Sequence, residues 1–403
     1  MEHSEVSQFM ATFFLMVIYM AFISLGLPDS LLGTAWPLMQ LEYKAPFEAA
    51  GLVSMSIAGG TIVSSFASGA VHKHLSTGKI TLISCLMTAS SLLGFTFSPS
   101  LLWLLFLAVP LGLGAGSVDA ALNNYVATHY KAHHMSWLHC FWGVGATTGP
   151  IIMSQFISRQ NSWRSGYFTV SMIQFTLAAL LFFTLPMWSR MAKEVHTHPV
   201  YPDEGEKGAE EKINPLYIKG VKFSLVSFLF YCGAEATMGL WGSSFLVSVK
   251  ELPAALAAQW VSLYYGGITV GRLITGFVTL KISNRLLIRT GQIITLSGIL
   301  LLLLPLSAVF SLPGFILVGL GCAPIFPCMI HETPARFGKG NSQRIIGYQM
   351  AFAYIGGTFL PPVLGFVAAR TTIGLLPFFV LGYIISIIIA SEKINESMRL
   401  KRV

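Results

Sequence analysis

The chain predicts an all-α membrane protein, with twelve transmembrane helices in two pseudo-symmetric six-helix bundles, and three observations carry that reading. Of its 403 residues 54% are hydrophobic and only 10% are charged, against about 25% charged in a soluble domain. Its mean hydropathy is +0.68. The apolar residues gather into twelve long runs, and the second six repeat glycine patterns of the first.

A helical crossing takes about 20 apolar residues, and the runs lie at 9–38, 49–71, 80–97, 101–128, 135–157, 165–188, 217–248, 254–279, 286–306, 311–332, 344–369 and 373–391. None shows the period-2 alternation of a membrane barrel strand. The first run follows MEHSEVSQ, which lacks the basic region of a signal peptide and is therefore read as leading into a retained span. Between the sixth and seventh runs lies the longest polar stretch, with Pro199, Pro202 and the charged run from Asp203 to Lys212. These features divide the chain into an N-terminal bundle at 1–188, a cytoplasmic linker at 189–216 and a C-terminal bundle at 217–403 with a short cytoplasmic tail.

Basic residues orient the spans. With both termini and the linker on one side, that side holds nineteen Lys and Arg, among them Lys79, Arg190, Lys222 and Arg289, and the other holds five, Lys44, Arg159, Arg164, Lys250 and Arg370. The excess marks the cytoplasmic face of a cell membrane, with both termini inside. The net charge of +8 is thus spread over loops at the membrane edge, where it serves orientation and excludes a nucleic-acid reader. Cys85, Cys140, Cys232, Cys322 and Cys328 all fall in apolar runs without zinc-like spacing, and read as packing residues rather than a disulfide framework.

The halves repeat in parallel. Gly59-Gly60 and Gly69 of span 2 match Gly266-Gly267 and Gly276 of span 8, and Gly112-Leu-Gly114 of span 4 matches Gly319-Leu-Gly321 of span 10, each pair 207 residues apart. Six spans separate the copies, so both copies face the same way.

Fourteen of the seventeen acidic residues lie in loops, linker, tails or helix ends, and the exceptions are Asp29, Asp119 and Glu235. A carboxylate at the centre of a membrane helix costs about 2.5–3.5 kcal/mol on insertion scales, so it belongs beside a cavity or a partner. There it can take up a proton, coordinate sodium or accept hydrogen bonds from solute hydroxyls; the alternative is an interhelical hydrogen bond that only holds the bundle. Asn123 follows Asp119 at i, i+4 on one face of span 4, and an amide beside a carboxylate suits the paired hydroxyls of a sugar or polyol. Span 5 contributes His139 and, four turns on, Gln155. Trp36, seven residues beyond Asp29, and Trp241, near Glu235, offer flat faces for a sugar ring, or else belong to the interfacial aromatic belt. Gly233 and Gly239 flank Glu235 as they would in a helix broken beside a cavity. Arg272, in the cytoplasmic part of span 8, reads as a gating or structural cation with Glu332 as candidate partner. His129 and His133 share i, i+4 spacing without a third ligand, so no metal is expected, and no cofactor motif occurs.

The stretch Gly112 to Asn123 of span 4, Leu138-His139-Cys-Phe141-Trp-Gly143 with Gly149-Pro150 in span 5, Tyr231-Cys-Gly233-Ala-Glu235 in span 7 and Ala323-Pro324-Ile-Phe326-Pro327 in span 10 resemble the fucose permease-like branch of the major facilitator superfamily. That resemblance implies the major facilitator fold, with a solute site at the midplane between the halves. It also implies that Asp29 and Asp119 match the acidic residues on spans 1 and 4 that serve proton coupling and sugar binding. The chain departs from the superfamily in the loop after span 2, which reads Gly69-Ala-Val-His72-Lys73-His74-Leu-Ser-Thr-Gly78-Lys79 without an acid, and at His139, where the permease has a polar amide.

The expectation is a monomeric secondary transporter in the lipid bilayer that moves a small hydrophilic solute, a sugar first of all, by alternating access. Protons are the expected coupling ion and sodium the alternative. An exporter of amphipathic compounds is the rival transport reading, and a receptor that binds sugar without moving it is another. No nucleophile or metal motif of an intramembrane enzyme is present.

Overall fold

The computed structural model describes residues 2–71, 74–129, 132–197, 215–279 and 281–399, and contains no β-strand among them. Span 1 consists of two helices, α1 (Glu2–Asp29) and α2 (Leu31–Tyr43). Spans 2 to 6 are α3 (Ala49–Val71), α4 (Thr77–Thr96), α5 (Leu101–His129), α6 (Ala132–Gln160) and α7 (Trp163–Thr197). Spans 7 to 9 are α8 (Val221–Ser248), α9 (Ala254–Val278) and α10 (Asn284–Leu303). Span 10 is again split, into α11 (Ser311–Cys322) and α12 (Ile325–Phe337), and α13 (Lys339–Ala368) and α14 (Leu376–Arg399) complete the set. Ten of the twelve spans are long and apolar enough to cross a membrane; the other two, spans 5 and 8, include His139, Thr147, Thr148 and Gln155, and Tyr264, Tyr265, Thr269 and Arg272.

Where a span breaks, proline chemistry gives the reason. Pro28 has no N–H, so the Ser24 carbonyl four residues back loses its helical donor. The Gln174 side chain on α7 supplies one instead, donating to the Ser24 carbonyl while the Ser24 hydroxyl donates to Gln174 Oε1 at 2.8 Å. In hydrocarbon such a replacement is required, because no water can satisfy the freed group. Ala323 and Pro324 separate α11 from α12, and Pro324 likewise has no N–H to give the carbonyl four residues back. At the other end of α7 the helix runs on to Thr197, taking in nine residues of the expected linker, since no Gly or Pro lies between Pro186 and Pro199. The rest of that linker, 198–214, lies outside the described residues.

Two compact units form. The first comprises Met1–Ala35 and Ser56–Glu204, and the second Trp36–Met55 and Gly205–Val403. Residues 36–55 therefore group with the later part of the chain. Within the second unit Phe47 stacks on Trp241 with ring centroids 4.6 Å apart, and Gly51 leaves room for only 3.1 Å between an added methyl and Pro362 Cα. The core of the first unit includes Phe14, Tyr125 and Trp188, with Phe14 edge-on to Trp188 at 4.6 Å. In the second unit Gln349 ties three helices, donating to Ser224 Oγ at 2.7 Å and to Thr333 Oγ1 at 3.0 Å.

The repeat seen in the glycines is a repeat of packing. A methyl on Gly112 would collide with the Ile57 carbonyl, and a methyl on Gly319 with the Tyr264 carbonyl. One on Gly60 would sit 2.6 Å from the Val109 carbonyl, and one on Gly267 2.8 Å from that of Ile316. Gly114 faces Ser84 and Thr88, and Gly321 faces Gly291 and Thr295. Every partner, like every glycine, is displaced by 207 residues, so spans 2, 3 and 4 and spans 8, 9 and 10 pack through the same contacts. Lipid offers helices no hydrophobic drive toward each other, and close backbone approach through small residues replaces it.

Gly112→Ala and Gly319→Ala should destabilise the detergent-solubilised protein to a similar degree, by about 1–3 kcal/mol each, read as a lower unfolding midpoint. Gly59→Ala should be neutral, because nothing lies within 4 Å of the added methyl.

Candidate functional site

Asp29 is the last residue of α1, and it is solvent-accessible although it sits inside an apolar span. Its neighbour is set by how α1 rests on α6. Methyl groups on Gly26 and Gly145 would strike the Trp142 and Ile23 carbonyls, so the two backbones touch. That approach lets Trp142 donate its indole N–H to Asp29 Oδ2 at 2.8 Å. His139 lies one turn earlier on α6, its ring edge-on to Phe22 of α1 at 5.9 Å. On α5, Asn123 donates to Asp119 Oδ1 at 2.8 Å, which is the i, i+4 pairing that the spacing predicts. The first unit thus holds two carboxylates, each with a neutral N–H donor.

In the second unit the third carboxylate is handled differently. Glu235 of α8 pairs with Arg272 of α9, Oε1 to Nη2 at 3.4 Å, with Arg272 14% and Glu235 16% exposed. The Tyr264 hydroxyl donates to the Glu235 backbone carbonyl at 3.2 Å, which fixes α8 against α9 at this level. Arg272 is therefore the partner of Glu235 and not of Glu332. Glu332 has its own cation one turn on, Arg336, at 2.9 Å, and accepts from Asn284 at 3.2 Å. Nor is α8 broken at Glu235: it runs unbroken from Val221 to Ser248. Gly233 and Gly239 serve close packing instead, against Leu360 and the Tyr265 hydroxyl.

Three other predicted residues fall outside these clusters. Trp36 is separated from Asp29 by the turn at Ser30, so counting seven residues along one helix does not put them on one face. Trp36 and Trp241 are both 0% exposed, so neither ring lies in the interfacial belt. Trp241 has Phe47 on its face and donates to the Pro361 carbonyl at 2.7 Å. Gln155 is exposed near the end of α6, and sixteen residues of continuous helix put it about 24 Å from His139, too far to share one small solute. The His129 and His133 side chains lie outside the described residues; among those described, no group of three or more His, Cys, Asp or Glu can hold a metal.

Trp142 is the residue missed in the sequence, although it lies in the span 5 motif three residues after His139. A third repeat was also there to be read: Phe22, Asp29 and Gly33 of span 1 match Phe228, Glu235 and Gly239 of span 7, each 206 residues later.

A family model described as Major Facilitator Superfamily matches residues 13–361. Over 281 residues, 67% of either chain, the sequence is 26% identical to the glucose/mannose transporter GlcP of Bacillus subtilis. The fold is similar to that of a D-xylose-proton symporter, with a TM-score of 0.71 at 10% identity over 94% of this chain and 95% of that one. It is also similar to the transporter FucP in its outward conformation, with a TM-score of 0.61 at 16% identity over 94% and 97% of the two chains.

Removing one partner of a buried pair strands the other charge. Arg272→Gln and Glu235→Gln should each lower stability by about 3 kcal/mol, while the double variant should recover part of that loss. A double-mutant cycle on unfolding midpoints checks this, and additive effects would contradict the pairing.

Proposed function

The chain belongs to the Major Facilitator Superfamily, and from that premise we propose that it is a secondary transporter of a hexose-type sugar, in the fucose permease-like branch, coupled to the proton gradient. A multi-pass membrane transporter of this superfamily, it is not an enzyme. The observation that carries the sugar reading is the Asp119–Asn123 pair, with its 2.8 Å hydrogen bond within one helical turn. The pair offers acceptor and donor together, the complement of neighbouring hydroxyls on a sugar. GlcP, a glucose/mannose transporter, and the D-xylose-proton symporter support a sugar as the solute.

Coupling is assigned to the first unit. Asp29 is accessible and accepts a hydrogen bond from the neutral Trp142 indole, so it is a carboxylate that a proton can reach. Glu235 is held by Arg272 and serves to fix α8 on α9. His139, one turn from Trp142, is a solute contact on the same helix. The protein acts as a monomer by alternating access in the cell membrane, with both termini in the cytoplasm, an orientation supported by the nineteen basic residues on that side. Arg272, Glu235 and Glu332 have gating or structural roles, and no cofactor takes part.

The test is uptake into liposomes with D-glucose and D-mannose as probes. Asp29→Asn should abolish proton-driven accumulation while sugar exchange at equal concentrations persists. Asp119→Asn should impair both, and Asn123→Ala should raise the half-saturating sugar concentration about tenfold, the worth of one hydrogen bond of somewhat more than 1 kcal/mol. Unchanged proton-driven uptake in both aspartate variants would overturn the coupling assignment. Replacing sodium by choline at fixed pH separates the two candidate ions.

A further inference from the structure

Span 11 carries the sequence's only Pro-Pro, Pro361-Pro362, inside the continuous helix α13. A helical carbonyl takes its donor from the N–H four residues on, or three residues on where the turn tightens, and proline has none to give. Gly357 therefore loses the donor four residues on. Thr358 loses both, since Pro362 and Pro361 stand at those two places. The Pro361 carbonyl takes the Trp241 indole, but among the described residues no side chain donates to the carbonyls of Gly357 and Thr358. Pro28 sets the contrast, because Gln174 answers the Ser24 carbonyl that it frees.

The second proline belongs to the second unit alone. A methyl on Gly145 of α6 would strike the Ile23 carbonyl of α1, and one on Gly356 of α13 would strike the Leu229 carbonyl of α8. Ile23 and Leu229 are 206 residues apart, as are Asp29 and Glu235. Five residues after each glycine comes a proline, Pro150 or Pro361, and the next residue is Ile151 in the first unit and Pro362 in the second. Thr147 thus has an Ile151 N–H four residues on, which its counterpart Thr358 lacks. At membrane depth an unsatisfied backbone group is tolerated only where it is buried in protein or lines a water-filled cavity. Room exists at this turn: Gly357 is half-buried, and a methyl there would meet, within 4 Å, only the Cys232 carbonyl at 3.9 Å. Cys232 precedes Glu235 by three residues on α8, so the orphaned carbonyls lie near the depth of the Glu235–Arg272 pair.

We infer that the Gly357–Thr358 turn is a solute contact of the second unit, where two backbone carbonyls accept hydrogen bonds from hydroxyl groups of the sugar. A carbonyl can only accept, so the turn selects a ligand by its donors. A hydroxyl at the right carbon is held there, and a hydrogen or an ether oxygen in its place is not. This rests on the sugar-transport reading above.

The experiment returns the missing donors. Pro362→Ala places an N–H four residues after Thr358, and Pro361→Ala does the same for Gly357. Alanine suits a helix interior, so both variants should fold. Competition of D-glucose and its monodeoxy analogues for uptake into liposomes gives the fold loss on removing each hydroxyl. The wild type should lose about fivefold, the worth of one hydrogen bond, at the hydroxyl that meets Thr358. In Pro362→Ala glucose should bind about fivefold more weakly, and removing that one hydroxyl should then cost nothing, with the losses at the other positions kept. A proline that only shaped the helix would weaken glucose and every analogue alike. Should a variant fold but not cycle, the same ratios are read from the rise in unfolding midpoint that each sugar produces. A wild-type pattern of losses in both proline variants would overturn the contact. A wild type that neither takes up nor is stabilised by any of these sugars would sink instead the sugar reading on which the contact rests.

Discussion

At Gly112 and Gly319 the backbone of one helix rests on a carbonyl of the next, with no room for a methyl group between them. The contact between Asp29 and Trp142 is placed by an approach of this kind. Because lipid tails are as apolar as leucine, helices gain nothing by hiding apolar surface from them, and what remains is contact at short range. Gly26 and Gly145 bring α1 onto α6 closely enough for the Trp142 indole to reach Asp29. A larger residue at either glycine would push the helices apart and leave that carboxylate without its donor.

The same medium sets the terms for charge. A carboxylate inside the membrane needs a cavity or a compensating group, and the two units compensate by different chemistry. Asp29 and Asp119 receive N–H groups that carry no charge, whereas Glu235 receives a guanidinium. A neutral donor stabilises a carboxylate while leaving a second charge free to arrive and depart. A permanent cation does not, because its removal leaves two isolated charges in a medium that solvates neither. Equivalent helix positions therefore carry carboxylates with different partners in the two units.

Backbone groups obey the rule as well. Pro28 removes a donor from the Ser24 carbonyl, and Gln174 replaces it from another helix. A turn at Ser30 follows, and Trp36 beyond it is fully buried and groups with the second unit.

Much was legible before any coordinates. Twelve apolar runs against a sparse set of charges are dictated by the bilayer alone, so the spans, the duplication and the three unusual carboxylates could be read directly. Asp119 and Asn123 could be paired because both ride on one unbroken helix, whose period is local physics. Arg272 could not be matched to Glu235 rather than Glu332, nor Trp142 to Asp29, because those pairings depend on which helices lie side by side and at what height. Even the seven-residue spacing of Trp36 from Asp29 misled, since a turn between them voids the helical count. Composition and periodicity determined what must lie in the membrane and which residues are costly there; only the packing of one helix on another decided which donor or cation answers each of them, because that choice depends on distances between segments that the order of residues along the chain does not contain.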